Sequence, residues 1–423
     1  MNASDRSLSP LSLDPTLAAG QTRKPRKPPL AARGVLRLLE RLQIGRLDFH
    51  GPDGVWRHFG QDDNGPHAEV ALHDWAVMGE VLKRGDIAFA EAWMRRAWDT
   101  PDLPALLKLL VANREIIARA LHGSLLGRLP DRIRHLLRRN SRAGSRDNIH
   151  AHYDIGNAFY QLWLDPSMTY SSALFNGDPA QTLEQAQAAK YARVLDQLQL
   201  QPGARVLEIG CGWGGLAEVG AQRRLRLDGI TLSAEQLAYA RARLAQAAPQ
   251  PRLELCDYRD LDRIAPPDGY DGIASIEMFE AVGEAYWPGF FRTVARQLKP
   301  GARACIQTIT IADDLFDDYR RGTDFIQRYI FPGGMLPSRR AFIAQAKAAG
   351  LEVVEELAFG ADYAHTLALW RERFTAQLEA VKAQGFDDRF LRLWTFYLAY
   401  CEAGFSQGST NVWQFTLRHA RTH

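Results

Sequence analysis

Hydrophobic and polar positions fall into three regimes along the chain. The first 33 residues are rich in Ser, Pro, Lys and Arg and carry five scattered leucines but no Val, Ile or aromatic residue, so residues 1–33 are predicted to be a flexible tail that cannot offset its ordering entropy. Over residues 34–121 short apolar runs change period. Helical spacing at 35–42 gives way to alternation over 46–59 around Gly51-Pro52-Asp53-Gly54, which predicts a hairpin. Helices are predicted at 75–83, 86–97 and 103–121, the last opened by Thr100-Pro101-Asp102. This is a small mixed α/β domain. From residue 150 to 423 apolar strands (205–209, 227–232, 253–256, 272–276, 302–310, 351–357) alternate with helical patterns such as 235–246, 287–298 and 339–349. Strands spaced by helices predict an α/β domain with a doubly wound parallel sheet. Residues 313–337 and 374–405 break the rhythm and read as helical insertions over the ligand end of that sheet.

Charge alters the picture at one place. The net charge of +3 conceals a basic stretch between residues 114 and 146, where nine arginines face only Glu115 and Asp131. Leu125, Leu126, Leu129, Ile133, Leu136 and Leu137 recur among them at helical spacing, so residues 122–149 read as a basic amphipathic linker. Two readings fit it, a solvated helix face and a surface for an anionic membrane. Nucleic acid is disfavoured, because the stretch has no aromatic residue for base stacking. No run reaches the roughly 18–20 apolar residues of a spanning helix, and the N-terminus has no apolar signal core, so a cytoplasmic protein is expected. Cys211, Cys256, Cys305 and Cys401 are too dispersed for a zinc site or a disulfide framework; buried thiols and no metal are expected.

The sharpest chemical signal is the run Val206-Leu207-Glu208-Ile209-Gly210-Cys211-Gly212-Trp213-Gly214-Gly215, a strand entering a glycine loop that a ligand can approach closely. The spacing is GxGxG rather than GxGxxG. The next strand ends in Thr231-Leu232-Ser233 instead of the acidic residue that binds a nicotinamide ribose, which argues against a dehydrogenase. The pattern matches class I S-adenosylmethionine methyltransferases. After the fourth strand the chain reads Ser275-Ile276-Glu277-Met278 rather than the motif of exocyclic-amine methylation, which disfavours a nucleic-acid substrate.

Further segments narrow the resemblance. His152-Tyr153-Asp154-Ile155-Gly156-Asn157, Leu164 to Phe175, Thr231 to Gln236, Asp257-Tyr258-Arg259-Asp260, Ser275 to Gly283 and Gln327 to Ser338 together resemble the cyclopropane-fatty-acyl-phospholipid synthase family from about Gly34 to the C-terminus. The resemblance implies a Rossmann-like methyltransferase domain over 150–423, a lipid-binding domain over 34–121, and S-adenosylmethionine as cofactor. It assigns cofactor contact to Tyr170, Ser171, Glu208, Gly210, Cys211, Gly212, Trp213, Gly214, Thr231, Leu232, Ser233, Gln236, Tyr258 and Arg259. It also implies an unsaturated phospholipid acyl chain as substrate at the inner face of the cytoplasmic membrane, and a homodimer.

In the family a cis alkene attacks the sulfonium methyl and the resulting carbocation loses a proton to close a three-membered ring. Such a site needs aromatic faces and exclusion of water, for which Phe279, Tyr286, Trp287, Tyr329, Phe331, Trp370, Phe396 and Tyr397 are candidates, each also readable as ordinary core. The resemblance implies that bicarbonate removes the proton, held by a glutamate (Glu280), a tyrosine (Tyr363) and two positions that depart here: Ser172 stands where cysteine is usual and Gln307 where histidine is usual. Gln307 can hydrogen-bond but cannot titrate near neutral pH. Ring closure and alkene methylation to a methyl-branched or methylene chain therefore both stay open, and so does a soluble small-molecule substrate. Cys401 matches a cysteine sometimes regarded as catalytic, with a buried structural thiol as the other reading. His365 reads equally as a neighbour of the site or as a surface residue.

Overall fold

The computed structural model describes residues 27–61, 65–121, 155–178 and 180–421. The predicted linker at 122–149 and the first three residues of the motif His152 to Asn157 lie outside these residues. The chain divides into two compact units, Met1–Gly127 and Arg128–His423.

In the first unit, helix α1 (Leu30–Leu39) starts inside the span read as tail, because Ala32, Leu36 and Leu39 form a buried stripe. The predicted hairpin is present as β1 (Arg46–His50) and β2 (Trp56–Gly60), antiparallel with Leu47 opposite Phe59. Unforeseen were β3 (His67–Leu72), parallel to β1, and the two-residue β4 (Trp98–Asp99), giving the order β2-β1-β3-β4. Helices α2 (Ala76–Arg84), α3 (Asp86–Met94), α4 (Leu103–Ala112) and α5 (Arg114–Leu121) complete the unit. Asp102 caps α4 by accepting from the Ala105 amide, as its position suggested. The single helix expected over 103–121 is broken at Asn113. Its buried amide accepts from Gln43 N and Ile44 N and donates to Ile44 O and Leu109 O, an arrangement that favours a helix end over a continuous helix.

The second unit holds a seven-stranded sheet: β5 (Arg205–Ile209), β6 (Arg226–Thr231), β7 (Arg252–Leu255), β8 (Tyr270–Ile276), β9 (Leu298–Ile311), β10 (Leu351–Ala358) and β11 (Thr410–His419), in the order β10-β11-β9-β8-β5-β6-β7. The strands from β7 to β9 are parallel. The unpredicted β11 is antiparallel to both neighbours, so the sheet is mixed at that edge. Alternate side chains feed two cores. Val206 packs with Val194, Leu195, Leu216 and Leu227 on one face; Leu207 packs with Phe290, Phe291, Val294 and Phe342 on the other. The insertions are helical as predicted: Phe316–Tyr319 and Phe325–Tyr329 in the first, with Gly360–Ala376, Leu378–Ala383 and Asp388–Ser406 in and before the second. Among the described residues no helix is long and apolar enough to cross a membrane.

The strand order reverses between β5 and β8, and the crevice outside their carboxyl ends is where open α/β sheets bind ligands. Gly210, Gly212 and Gly214 all have positive φ there, at 88°, 49° and 85°. A Cβ at Gly214 would also lie 3.0 Å from Leu244 and 3.1 Å from Ala240. G214A is therefore expected to lose at least about 1–2 kcal/mol from the left-handed conformation alone, read as a lower denaturation midpoint with an unchanged m value.

Candidate active site

Four segments meet at this end of the sheet: the β5–glycine loop, the turn after β8, the middle of β9, and the loop 168–178 backed by helix Gly360–Ala376. The Ser275 hydroxyl donates to Ile209 O at 2.9 Å and ties the ends of β8 and β5 together. A Cβ on Gly210 would lie 2.9 Å from the Met278 side chain, so the glycine loop and the post-β8 turn are in contact.

On the glycine-loop side, Glu208 is 3% exposed, and one of its carboxylate oxygens is buried without a partner. Burial pushes its carboxyl up to about 8, against the attraction of Lys190. Lys190 is itself fully buried, donates to the Ser171 hydroxyl, and is pushed down to about 7 by burial despite Glu277, Asp165 and Glu208 around it. Thr231, Ser233 and Gln236 form the start of helix Ala234–Arg243: the Ser233 hydroxyl accepts from Gln236 N, and Thr231 Oγ1 donates to Gln236 Oε1. Ser233 thus has a structural task, capping this helix, that is separate from the cofactor contact expected of it. Leu232 is half-buried between them. Arg259 grips Asp257 through two guanidinium nitrogens while its guanidinium lies over the Tyr258 and Tyr286 rings. Trp213 donates to Asn157 Oδ1 at 2.7 Å, and the Cys211 thiol is buried behind Gly229.

On the opposite side stands a carboxylate, Glu277, that no motif of the sequence marks as part of the site. Glu277 Oε1 accepts from the Ser172 amide at 2.9 Å and from Gln307 Nε2 at 2.8 Å; its Oε2 accepts from the Tyr363 hydroxyl at 2.7 Å. Gln307 is oriented by Gln414, whose amide donates to Gln307 Oε1. The Ser172 hydroxyl donates to Ala173 O, so only its backbone faces the carboxylate. Tyr363 therefore partners Glu277 rather than Glu280. Glu280 sits one turn on, accepting from Thr308 Oγ1 and Ile309 N, with its other oxygen buried and unpartnered. Burial and the Glu277 charge push Glu280 up to about 8. A readable signal for Glu277 did exist: it is the first carboxylate beyond the fourth sheet strand of this domain, at its carboxyl end.

The aromatic candidates separate into two groups. Phe279 and Trp287 belong to the sheet core with Phe290 and Phe291. Trp370 and Tyr397 instead join Trp163, Tyr170 and Trp394 beside the loop; the Tyr170 and Tyr397 hydroxyls lie 2.7 Å apart, and Tyr363 meets Trp370 edge-on. Phe331 reaches Tyr397, whereas Phe396 and Tyr329 pack on Phe325 and Tyr286 takes the Arg259 cation. Burial pushes the half-buried Cys401 thiol far up, which holds it protonated rather than as a thiolate. His365 is exposed and edge-on to Phe175, the surface reading of the two.

The family model described as mycolic acid cyclopropane synthetase matches residues 140–415. The chain is 40% identical over 352 residues to the tuberculostearic acid methyltransferase of Mycobacterium tuberculosis, covering 81% of each. It is 36% identical over 360 residues to the cyclopropane-fatty-acyl-phospholipid synthase of Escherichia coli strain K12, covering 82% of this chain and 87% of that one. A mycolic acid cyclopropane synthase solved with SAH and CTAB superposes with a TM-score of 0.59 at 31% identity, over 64% of this chain and 97% of its own.

Because Glu208 holds its proton more tightly folded than unfolded, the ligand-free protein loses stability as pH rises from the ordinary 4.5 toward about 8. E208Q cannot ionise, and thermal melts across that window are expected to show a flatter pH dependence than wild type.

Proposed function

The chain belongs to the mycolic acid cyclopropane synthetase family and is an S-adenosylmethionine-dependent methyltransferase, and from that premise we propose that it adds one carbon to the cis double bond of an unsaturated phospholipid acyl chain, closing a cyclopropane ring. The observation that carries the reading is the junction of an aromatic wall with a carboxyl network, made where Tyr363 bonds Glu277 and packs on Trp370, next to the glycine loop.

The residues present fit the cofactor. Glu208 keeps a buried acceptor for a ligand donor, a Cβ at Gly212 would project into open space, and Asp165 and Glu208 near Lys190 favour a ligand cation. When bound, S-adenosylmethionine supplies an electrophilic methyl carbon. Tyr170, Ser171, Gly210 to Gly214, Thr231, Leu232, Ser233, Gln236, Tyr258 and Arg259 hold it in this proposal. The rings of Trp163, Tyr170, Trp370 and Tyr397 keep water out and turn their negative faces to the positive charge left on the acyl chain. Glu280 and Glu277 set the field at the reacting centre. The arginine-rich stretch between residues 114 and 146 supports uptake of substrate from the anionic inner face of the cytoplasmic membrane by a peripheral enzyme, and a dimer is the assembly proposed with it.

Gln307 and Ser172 favour a second reading, in which the same cation loses a different proton and a methylated or methylene chain results. Purified protein with S-adenosylmethionine and vesicles of oleoyl phosphatidylglycerol is expected to give lipid heavier by one CH2, about 14 Da, whichever proton leaves. NMR of the isolated lipid then distinguishes ring from alkene. Absence of the gain across varied unsaturated lipids overturns the function, and failure to float with anionic vesicles points to a soluble substrate.

A further inference from the structure

The proposed reaction leaves a proton to be removed from the carbocation, and the structure presents a base for it within the chain. Bicarbonate, the base implied by the resemblance, does not fit. Three of the groups that would hold it, the Ser172 amide, Gln307 Nε2 and the Tyr363 hydroxyl, already donate to the carboxylate of Glu277. A second anion there would face Glu277 without those donors and against a like charge.

We infer that the Glu277 carboxylate itself occupies the position of that anion and is the general base of the reaction, an inference that rests on the function proposed above. The Glu280 carboxyl, the remaining group that the resemblance assigns to the anion, feels the Glu277 charge and accepts instead from Thr308 Oγ1 and Ile309 N. An ionised carboxylate offers about four acceptor positions, and the three donors leave one open on Oε2. Ser172 and Gln307 are fully buried and Tyr363 is nearly so, whereas Glu277 keeps intermediate exposure, so it is the member of this network that a substrate can reach. Its backbone is held at φ 50°, a left-handed conformation that a glutamate adopts only when its surroundings enforce it and that clusters at functional sites. Burial raises its carboxyl above the ordinary range, in part against the Tyr363 bond and Lys190, which makes it a better proton acceptor.

The step balances without an added co-reactant. The alkene π pair forms the new C–C bond as the C–S bond breaks, its pair staying on sulfur, and the cation develops on the other alkene carbon. Glu277 Oε2 then takes a proton, and the C–H pair becomes either the last ring bond or a new C=C bond. The carboxyl returns its proton to solvent when product leaves.

Full-length protein freed of bicarbonate, given S-adenosylmethionine and oleoyl phosphatidylglycerol vesicles, is expected to turn over at the same rate with and without added bicarbonate. E277Q is expected to lose at least about 100-fold in turnover while binding S-adenosylhomocysteine within about two-fold of wild type by calorimetry. E277G suits the positive φ and opens the anion position, so formate or bicarbonate is expected to restore part of its activity. Carbon-13 NMR with labelled bicarbonate needs no turnover: binding is expected to E277G and not to wild type. Saturable bicarbonate binding to wild type, its stimulation of wild-type turnover, or an active E277Q overturns the inference while leaving the function intact. A wild type that transfers no carbon overturns the function, and the labelled-bicarbonate arm still decides what occupies the anion position.

Discussion

A single half-buried carboxylate organises the crevice outside the carboxyl ends of the strands in the larger unit. Glu277 receives hydrogen bonds from residues 105, 30 and 86 positions away in the chain, drawn from the loop before the first strand, from β9, and from the helix following β10. Charge-assisted bonds of this kind are individually stronger than neutral ones, and a buried charge without them is costly. The loop at 171–173, the amide of Gln307 and the helix Gly360–Ala376 are therefore set relative to one another by the need to satisfy one group. Gln307 is in turn fixed by Gln414 on β11, which carries the constraint into the antiparallel edge of the sheet.

The electrostatics of the site follow from the same constraint. Lys190, buried among Glu208, Asp165 and Glu277, is pushed down to about 7, while Glu208 and Glu280 are pushed up to about 8. Ionisable groups whose environments move them toward neutrality from both sides are the arrangement expected where protons and a ligand cation must be handled. The aromatic residues beside them supply the complementary property, a surface that is apolar yet attractive to positive charge.

Several elements were legible in the sequence for direct reasons. The apolar strands and their helices are local patterns, and the glycine loop needs three positive-φ positions that side chains oppose, so both surfaced without tertiary information. The strand β11 and the break at Asn113 did not. β11 alternates against an antiparallel partner set by β9 and β10, and Asn113 ends its helix through bonds to Gln43 and Ile44, some 70 residues upstream. Of the aromatic candidates, composition could not separate the core residues Phe279 and Trp287 from Trp370 and Tyr397 at the site, since all are buried.

By itself, the sequence determined the α/β class, the glycine loop and the family, because each rests on residues adjacent in the chain or on ordered motifs. It also exposed the departures at Ser172 and Gln307. Which carboxylate those positions serve was decided only by tertiary structure: Tyr363, Gln307 and the Ser172 amide all turn to Glu277 and not to Glu280. That choice depends on distances between segments far apart in sequence, and on a left-handed backbone at residue 277 that neighbouring packing holds in place.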